Sequence, residues 1–374
     1  MITRRGFLNG VGAGSLAMAC APSAAPAPSA AAGGGAKQAW ETDWDKVVAD
    51  AKQEGKLVIQ TLAGEGYRKL LDRFQEAYPE IGVELTAVAS STWAPKLLAE
   101  RQAGLYAWDI TQTPPITGFS LFADKVYDPI RPQIFRPDVL EDRSWVGGTE
   151  IGYLDTDKKW VFQTGWDLTG GLFINTDLVK EGEVKTAKDM LAPKWKGKIV
   201  SFDPRTGGAS ATPLTAMRLK LGEDALKQLF LEQEPVISRD MRQLTEFVIR
   251  GRYAIGFGTT RPILDELQKE GLGKNVKNIL PDDFTYLGGQ CIWLINKPPH
   301  PNAAKLWINW FMSQQGQQAF VQTVGDNSRR TDVPKGNPDV YPPDGADKRY
   351  LNLFRQELFE EVDKTRDIAR DWLK

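Results

Sequence analysis

Along residues 43–111 the apolar positions alternate between two spacings, and the alternation predicts the architecture. Trp44, Val47, Val48 and Ala51 share one face of a helix over residues 43–55, with Gly55 as its stop. The apolar run Leu57-Val58-Ile59, closing on Gln60-Thr61, predicts a buried strand, and Gly64-Glu65-Gly66 a turn. Leu70, Leu71 and Phe74 recur at helical spacing over residues 67–77, a segment ended by Tyr78-Pro79. Strands follow over residues 83–88 and 107–111, with a helix over 95–103 between them. Strands alternating with helices at this spacing imply a parallel sheet with right-handed crossovers, so the fold class is α/β.

The later half repeats the signals less regularly. Gly288-Gly289 marks a bend before the apolar strand Cys291-Ile292-Trp293-Leu294-Ile295, and helices are predicted over residues 301–312 and 314–322. From Pro334 the chain is proline-rich through Pro343. A helix is then predicted over residues 348–373, with Leu351, Phe354, Leu358, Phe359 and Val362 as a stripe that packs on the body of the protein.

Composition narrows the function classes. A structured part of about 335 residues exceeds what one hydrophobic core serves, so two lobes are expected. The formal net charge of −1 carries no basic excess, which argues against a nucleic-acid partner. A single histidine, His300, excludes a multi-histidine zinc site and most triad chemistry. Of the two cysteines, Cys20 and Cys291, the second lies inside an apolar run and reads as a buried structural thiol.

The first residues carry a separate message. Thr3-Arg4-Arg5-Gly6-Phe7-Leu8, ahead of a weakly apolar stretch from Gly10 to Ala19, resembles a twin-arginine export signal. The stretch falls short of the ~20 residues a membrane-spanning helix needs. Leu16-Ala17-Met18-Ala19-Cys20 resembles a lipoprotein cleavage box with Ala17 where a leucine is usual; ordinary cleavage after Ala19 is the alternative, and both cut before Cys20. Residues 1–19 are thus expected to be a signal peptide. Residues 20–39, rich in alanine, proline, serine and glycine, are expected to be a tether after a lipid on Cys20. The protein is expected to be exported, in the periplasm or at the cell surface.

Several blocks along the chain share an order and spacing with one family. Glu54-Gly55-Lys56 is followed by Ala77-Tyr78-Pro79-Glu80-Ile81-Gly82-Val83-Glu84, then Pro193-Lys194-Trp195-Lys196-Gly197-Lys198-Ile199 and Asp203-Pro204. Gly251-Arg252-Tyr253-Ala254-Ile255-Gly256, His300-Pro301-Asn302-Ala303-Ala304-Lys305-Leu306 and Ser313-Gln314-Gln315-Gly316 complete the set. Over residues 40–335 the chain resembles an extracellular solute-binding protein of an ABC importer, in the ferric-iron and phosphonate branch. The resemblance implies a type II periplasmic-binding fold, with two α/β lobes joined by a hinge of extended crossings and a ligand cleft between them. It places a first lobe at 40–143, a second at 144–275, a return crossing and the rest of the first lobe at 276–333, and an extension at 334–374. The implied role is a monomeric receptor, without cofactor or catalytic set, that captures a small-molecule ligand and delivers it to a membrane permease.

Ligands of open α/β sheets lie beyond the carboxyl ends of the strands, where helix N-termini offer free N–H groups. The loop after the second strand supplies Ser90, Ser91 and Thr92, and the segment Thr111-Gln112-Thr113-Pro114-Pro115 after the third supplies Thr113. In the second lobe the segment from Ser201 to Thr212 has the parts of an anion cradle. Gly207 and Gly208 permit close backbone approach, Thr206 and Ser210 carry hydroxyls, and Arg205 carries charge. Arg261 and Arg330 are further candidates, with a salt bridge from Arg330 to Asp332 or another acid as an equal account, and Trp166 near the crossing is a candidate for stacking on the ligand, with core packing the stronger reading; the arginines favour an anionic solute or a metal chelate. Direct ferric-iron binding is a weaker alternative, because the paired tyrosines of iron-binding members are missing. A hydrolase using Asp203 with Asp167 or Asp109 is a second alternative, although neither a Gly-x-Ser-x-Gly elbow nor a His-Glu-x-x-His motif occurs. A receptor feeding a sensor kinase would share all these features.

Overall fold

A computed structural model describes residues 38–88, 90–206 and 210–373. The leader, Cys20, most of the tether, and Gly207 and Gly208 therefore lie outside the described residues. Helix α1 (Ala39–Glu54) turns Val47 and Ala51 inward and stops where Gly55 takes φ +66, a left-handed turn open to glycine at no Cβ cost. Strand β1 (Lys56–Thr61) follows with five consecutive buried residues, as expected of a strand covered on both faces. Next come α2 (Glu65–Ala77), β2 (Gly82–Ala87), α3 (Ser90–Gln102) and β3 (Ile110–Thr111), with β2 and β3 both parallel to β1.

Two of these elements differ from the sequence reading. Helix α3 starts at Ser90 rather than 95 and carries Pro95 inside it, at the cost of one backbone hydrogen bond. Strand β3 is shorter than 107–111 because a side chain takes over at its start. The Asp109 carboxylate accepts from Val58 N at 2.7 Å, His300 N at 2.8 Å and the His300 ring Nδ1 at 2.9 Å. The one histidine thus anchors a helix start.

The chain continues through α4 (Pro115–Ser120), β4 (Tyr127–Asp128), α5 (Pro137–Leu140) and β5 (Val161–Gln163), crosses on β6 (Asp167–Thr169), and enters a second sheet. There it forms β7 (Leu172–Asn175), β8 (Ile199–Phe202), α6 (Ala211–Leu221), α7 (Glu223–Lys227), β9 (Val236–Ser238) and α8 (Met241–Ile249). Strand β10 (Ile255–Phe257), α9 (Arg261–Lys269) and β11 (Val276–Ile279) finish it. The return runs on β12 (Tyr286–Gly288), antiparallel to β6, and β13 (Cys291–Ile295), antiparallel to β3, β4 and β5. Last come α10 (Pro301–Met312), α11 (Gln314–Val324), α12 (Ala346–Arg349) and α13 (Phe359–Trp372).

The first sheet has the order β2-β1-β3-β13-β4, with β5 also on β13; the second has β11-β7-β10-β8-β9. Helices α1, α2, α10 and α11 cover one face of the first sheet around Trp307, whose ring stacks on Phe311 at 5.4 Å and meets Phe74 edge-on at 5.1 Å. On the other face Trp93, Phe119 and Trp293 form a second core, and buried Cys291 lies in it as the thiol expected. Two expected boundaries move. Trp145, Tyr153 and Phe162, assigned by sequence to the second lobe, pack in the first lobe's core, while β11, assigned to the return, pairs with β7. The crossing is therefore the two-stranded ribbon β6–β12.

The tail departs furthest from the sequence reading. The helix expected over residues 348–373 is interrupted, because Leu351 lies beside Tyr286 and its carbonyl accepts from Leu287 N at 2.8 Å. Pairing with the crossing strand, and the burial of Tyr350 and Leu353 that comes with it, outweighs local helix propensity. The stripe does pack on the body, but on both lobes. Phe359 meets Phe119 of the first at 6.2 Å, while the Thr365 hydroxyl receives Arg218 Nε from α6 of the second at 3.0 Å.

Candidate functional site

Parallel pairing sets Thr61 beside Ala87 and Gln60 beside Thr111 at the strand ends, so the loops after β1, β2 and β3 converge there. Buried polar side chains gather at this edge. Gln60 is satisfied, donating to the carbonyls of Thr61 and Val88 at 2.7 and 3.1 Å and accepting from the Thr111 hydroxyl. Among the described residues, Ser90 Oγ, Thr113 Oγ1 and both amide atoms of Gln112 are buried with no partner. An unsatisfied buried polar group costs about 1–3 kcal/mol, so Ser90, Gln112 and Thr113 each carry bonding capacity that no other described residue meets. Ser90 and Thr113 were expected from sequence. Gln112 was missed, although its position beside Thr113 at a strand end was the available signal. Thr92 is exposed on α3, and Ser91 falls in the same first turn.

In the second lobe Ser210 is buried just before α6, with its hydroxyl 3.2 Å from that of Ser201. The charged part of the expected cradle is arranged differently. Asp203 grips Arg205 through two bonds, to Nε at 2.8 Å and Nη2 at 2.9 Å, while Arg205 Nη1 donates to the Leu373 carbonyl at 2.7 Å. The Thr206 hydroxyl turns back to the Asp203 carbonyl at 2.7 Å. Burial raises the Asp203 carboxyl, but hydrogen bonds from Arg205 and Arg239 outweigh it and hold it below the usual range. Arg205 thus fastens the C-terminal helix to this loop, and Thr206 closes the loop on itself.

Arg330 is likewise committed. At 2% exposure it pairs with Asp332 through Nε and Nη2, both at 2.8 Å, and Nη1 reaches the Met312 carbonyl at 3.0 Å. Arg261, at the start of α9, contacts Asp265 and Asp339 at 3.4 Å each but keeps Nη1 unpaired. Trp166 packs with Leu168, Leu287 and Tyr350, on the core side of the crossing. The carboxylates of the hydrolase alternative do not form a set: Asp203 holds its arginines and Asp109 holds Val58 and His300.

A second polar group, unpredicted, gathers where the crossing meets the first lobe. Asp167 opens β6 and accepts from Asn327 Nδ2 at 2.8 Å, while Trp166 N donates to the Asn327 carbonyl at 2.9 Å. Asp326 precedes Asn327. Helix α2 approaches so closely that a Cβ on Gly66 would lie 2.5 Å from the Thr323 carbonyl, which brings Tyr67 into the field of both carboxylates. The Tyr67 hydroxyl donates to Gln290 Oε1 at 3.3 Å. Although water reaches Asp326, the protein around it desolvates its carboxyl and raises it. Desolvation raises Asp167 too, and Asp326 adds to the effect. Burial pushes up the phenols of Tyr67 and Tyr286, away from the phenolate that iron would need.

The acidic pair sets a pH dependence of stability. Carboxyls whose folded pKa is raised hold protons that the unfolded chain, titrating near ~4, has released, so the native state loses stability as pH climbs through the raised values. Asp167→Asn should therefore raise the thermal midpoint at pH 8 and change it little at pH 4. A gain equal at both pH values, or none at pH 8, would contradict the geometry.

Concavities of about 380 Å³ between α2 and α11 and about 180 Å³ beside Trp166 and Tyr341 lie apart from Ser90, Gln112 and Thr113. Among the described residues no three His, Cys, Asp or Glu side chains converge as a metal site, and no helix is long and apolar enough to cross a membrane.

Comparison with known proteins places this geometry. Among solved structures, iron-bound HitA from Pseudomonas aeruginosa is similar with a TM-score of 0.64 at 15% identity, covering 84% of this chain and 98% of HitA. The spermidine/putrescine transporter substrate-binding protein PotD from Streptococcus pneumoniae gives 0.63 at 16%, over 85% and 99%. AfuA from Actinobacillus pleuropneumoniae, with fructose-6-phosphate bound, gives 0.62 at 18%, over 85% and 98%. At such identities these likenesses establish the fold, a two-lobed type II periplasmic-binding fold. No curated protein matches the sequence. The model of the bacterial extracellular solute-binding protein family matches residues 69–344, and the chain accordingly belongs to that family.

Proposed function

We propose that the solute binds at the carboxyl ends of β2 and β3, against Ser90, Gln112 and Thr113, and is closed over by the second lobe through Ser210 and the start of α6. The observation that carries this reading is the row of buried, unpartnered polar atoms in the first lobe. The solute is polar and small. An anionic part of it, as expected from sequence, would be met by Arg261 Nη1, because Arg205 and Arg330 are taken up inside the chain. The relatives named for iron, polyamine and sugar-phosphate ligands span both signs of charge, so the fold leaves the sign to the side chains. Closure on the ligand favours one lobe arrangement by its differential affinity, and that arrangement is what the permease would engage. The protein acts without turnover, as a monomer, exported by the arginine-pair leader and held to a membrane through Cys20.

The test is to recover small molecules that co-purify with the full chain, identify them by mass spectrometry, and measure their binding by thermal shift. Thr113→Ala and Gln112→Ala should each weaken the recovered solute about tenfold, since each removes a hydrogen bond worth about 1–1.5 kcal/mol. Undiminished binding in both variants would remove this site from consideration.

A further inference from the structure

The acidic pair at the crossing has a second feature that a merely structural pair would lack. Gln290 is 6% exposed, its Oε1 accepts from the Tyr67 hydroxyl, and its Nε2 has no partner. The two ends of one amide are close together, so Nε2 lies beside the same phenol that feels both carboxylates. Tyr67, Asp167, Gln290 and Asp326 come from four separate segments, α2, β6, the turn before β13 and the loop after α11. Tyr67 and Asp326 belong to the first lobe, while Asp167 lies on a strand that joins the lobes and Gln290 in the turn that follows its partner strand. This is where a cleft-bound solute would touch the hinge.

We infer that this cluster is a subsite for a protonated amine of the solute, with Asp167, Asp326 and the Tyr67 oxygen facing the ammonium and Gln290 Nε2 meeting an acceptor atom next to it. Two carboxylates held together in protein are unfavourable when both are ionised, and a cation between them relieves that repulsion at the moment of binding. An ammonium has three donors, which matches three oxygen acceptors. Arg261 stands close enough to lower Asp167 electrostatically, but its guanidinium is turned to Asp265 and Asp339, so it does not fill this role. The inference rests on the proposed receptor site and adds the chemical class of its ligand: a solute carrying an amine, alone or with a negative group for Arg261.

A matched four-carbon set tests it on the full chain: 1,4-diaminobutane, 4-aminobutanoate, succinate and 1,4-butanediol, read by thermal shift and calorimetry. The two amines should raise the midpoint saturably, and succinate and the diol should not. Asp167→Asn and Asp326→Asn should each weaken amine binding about tenfold or more while folding at least as well as the parent, and Glu76→Gln on the outer face of the first lobe should leave it unchanged. A shift with succinate or the diol equal to that with the amines overturns the inference, as does an amine shift that survives both substitutions or no amine shift at all. A co-purified solute that lacks an amine but depends on Thr113 would overturn it while leaving the receptor site standing.

Discussion

Gly289→Ala should lower the thermal midpoint by about 6–10 °C, or prevent folding. Gly289 has φ +131, a backbone region that L residues avoid, and a Cβ there would lie 2.3 Å from the Gly165 carbonyl carbon and 2.7 Å from Trp166 N. These are backbone atoms of the facing crossing strand, and that strand is fixed by Gln290, whose carbonyl accepts from Thr164 N and Gly165 N at 2.8 and 2.9 Å. Strain of about 1–3 kcal/mol and overpacking of about 1–3 kcal/mol add to about 2–6, and the middle of that range, about 3–5, gives this shift at roughly 2 °C for each kcal/mol in a domain of this size. Gly288→Ala provides the contrast. Its Cβ would meet the Thr169 hydroxyl at 2.7 Å, a side-chain atom that can rotate away, so its effect should be clearly smaller. Equal midpoints for the two variants, measured by differential scanning calorimetry, would mean that the crossing tolerates separation at Gly289.

Arg329→Ala should cost about 3–5 kcal/mol, a loss of similar size with a different origin. Arg329 is fully buried, and among the described residues no carboxylate pairs with it. Its Nε donates to the Gln163 carbonyl at 3.0 Å and its Nη1 to the carbonyls of Val146 and Gly148 at 2.9 and 2.8 Å, between the rings of Trp145 and Phe162 at 5.0 and 4.9 Å. Burial lowers its pKa to about 9, so the carbonyl dipoles and ring faces compensate the charge only in part. Alanine leaves three carbonyls unpaired and a cavity beside two aromatic rings. Arg329→Lys should recover little, because one ammonium cannot span Gln163 on one side and Val146 and Gly148 on the other. Full recovery by lysine, in chemical denaturation, would show that charge rather than the planar fork holds this junction.

What could be read in the sequence follows from how each part is buried. Strand β1 was legible because burial on both faces leaves an unbroken apolar run, and α2 because Leu70, Leu71 and Phe74 sit on one face of an otherwise polar helix. The tail was misread because Leu351 and Phe354 have helical spacing, yet a strand edge at Tyr286 was waiting for them. Ser90 and Thr113 stood out because they come immediately after strands. Asp167 was offered only as a hydrolase carboxylate, and Tyr67, Gln290 and Asp326 were not singled out, because residues drawn singly from distant segments leave no local pattern. Arg205 was offered as an open cation, although Asp203 two positions away takes it up, whereas the salt bridge from Arg330 to Asp332, weighed equally with a ligand role, is the pairing formed.

The course of the tail makes the molecule its own ruler. Helix α1 rests on α10 in the first lobe, whereas α13 rests on α6 in the second, so the two ends of the folded part are carried by different lobes. A fluorophore on Asp43 and another on Lys364, both exposed, would report the lobe-to-lobe distance by energy transfer without a dye entering the cleft. The chain is thus arranged to serve as an optical sensor for whatever solute it holds.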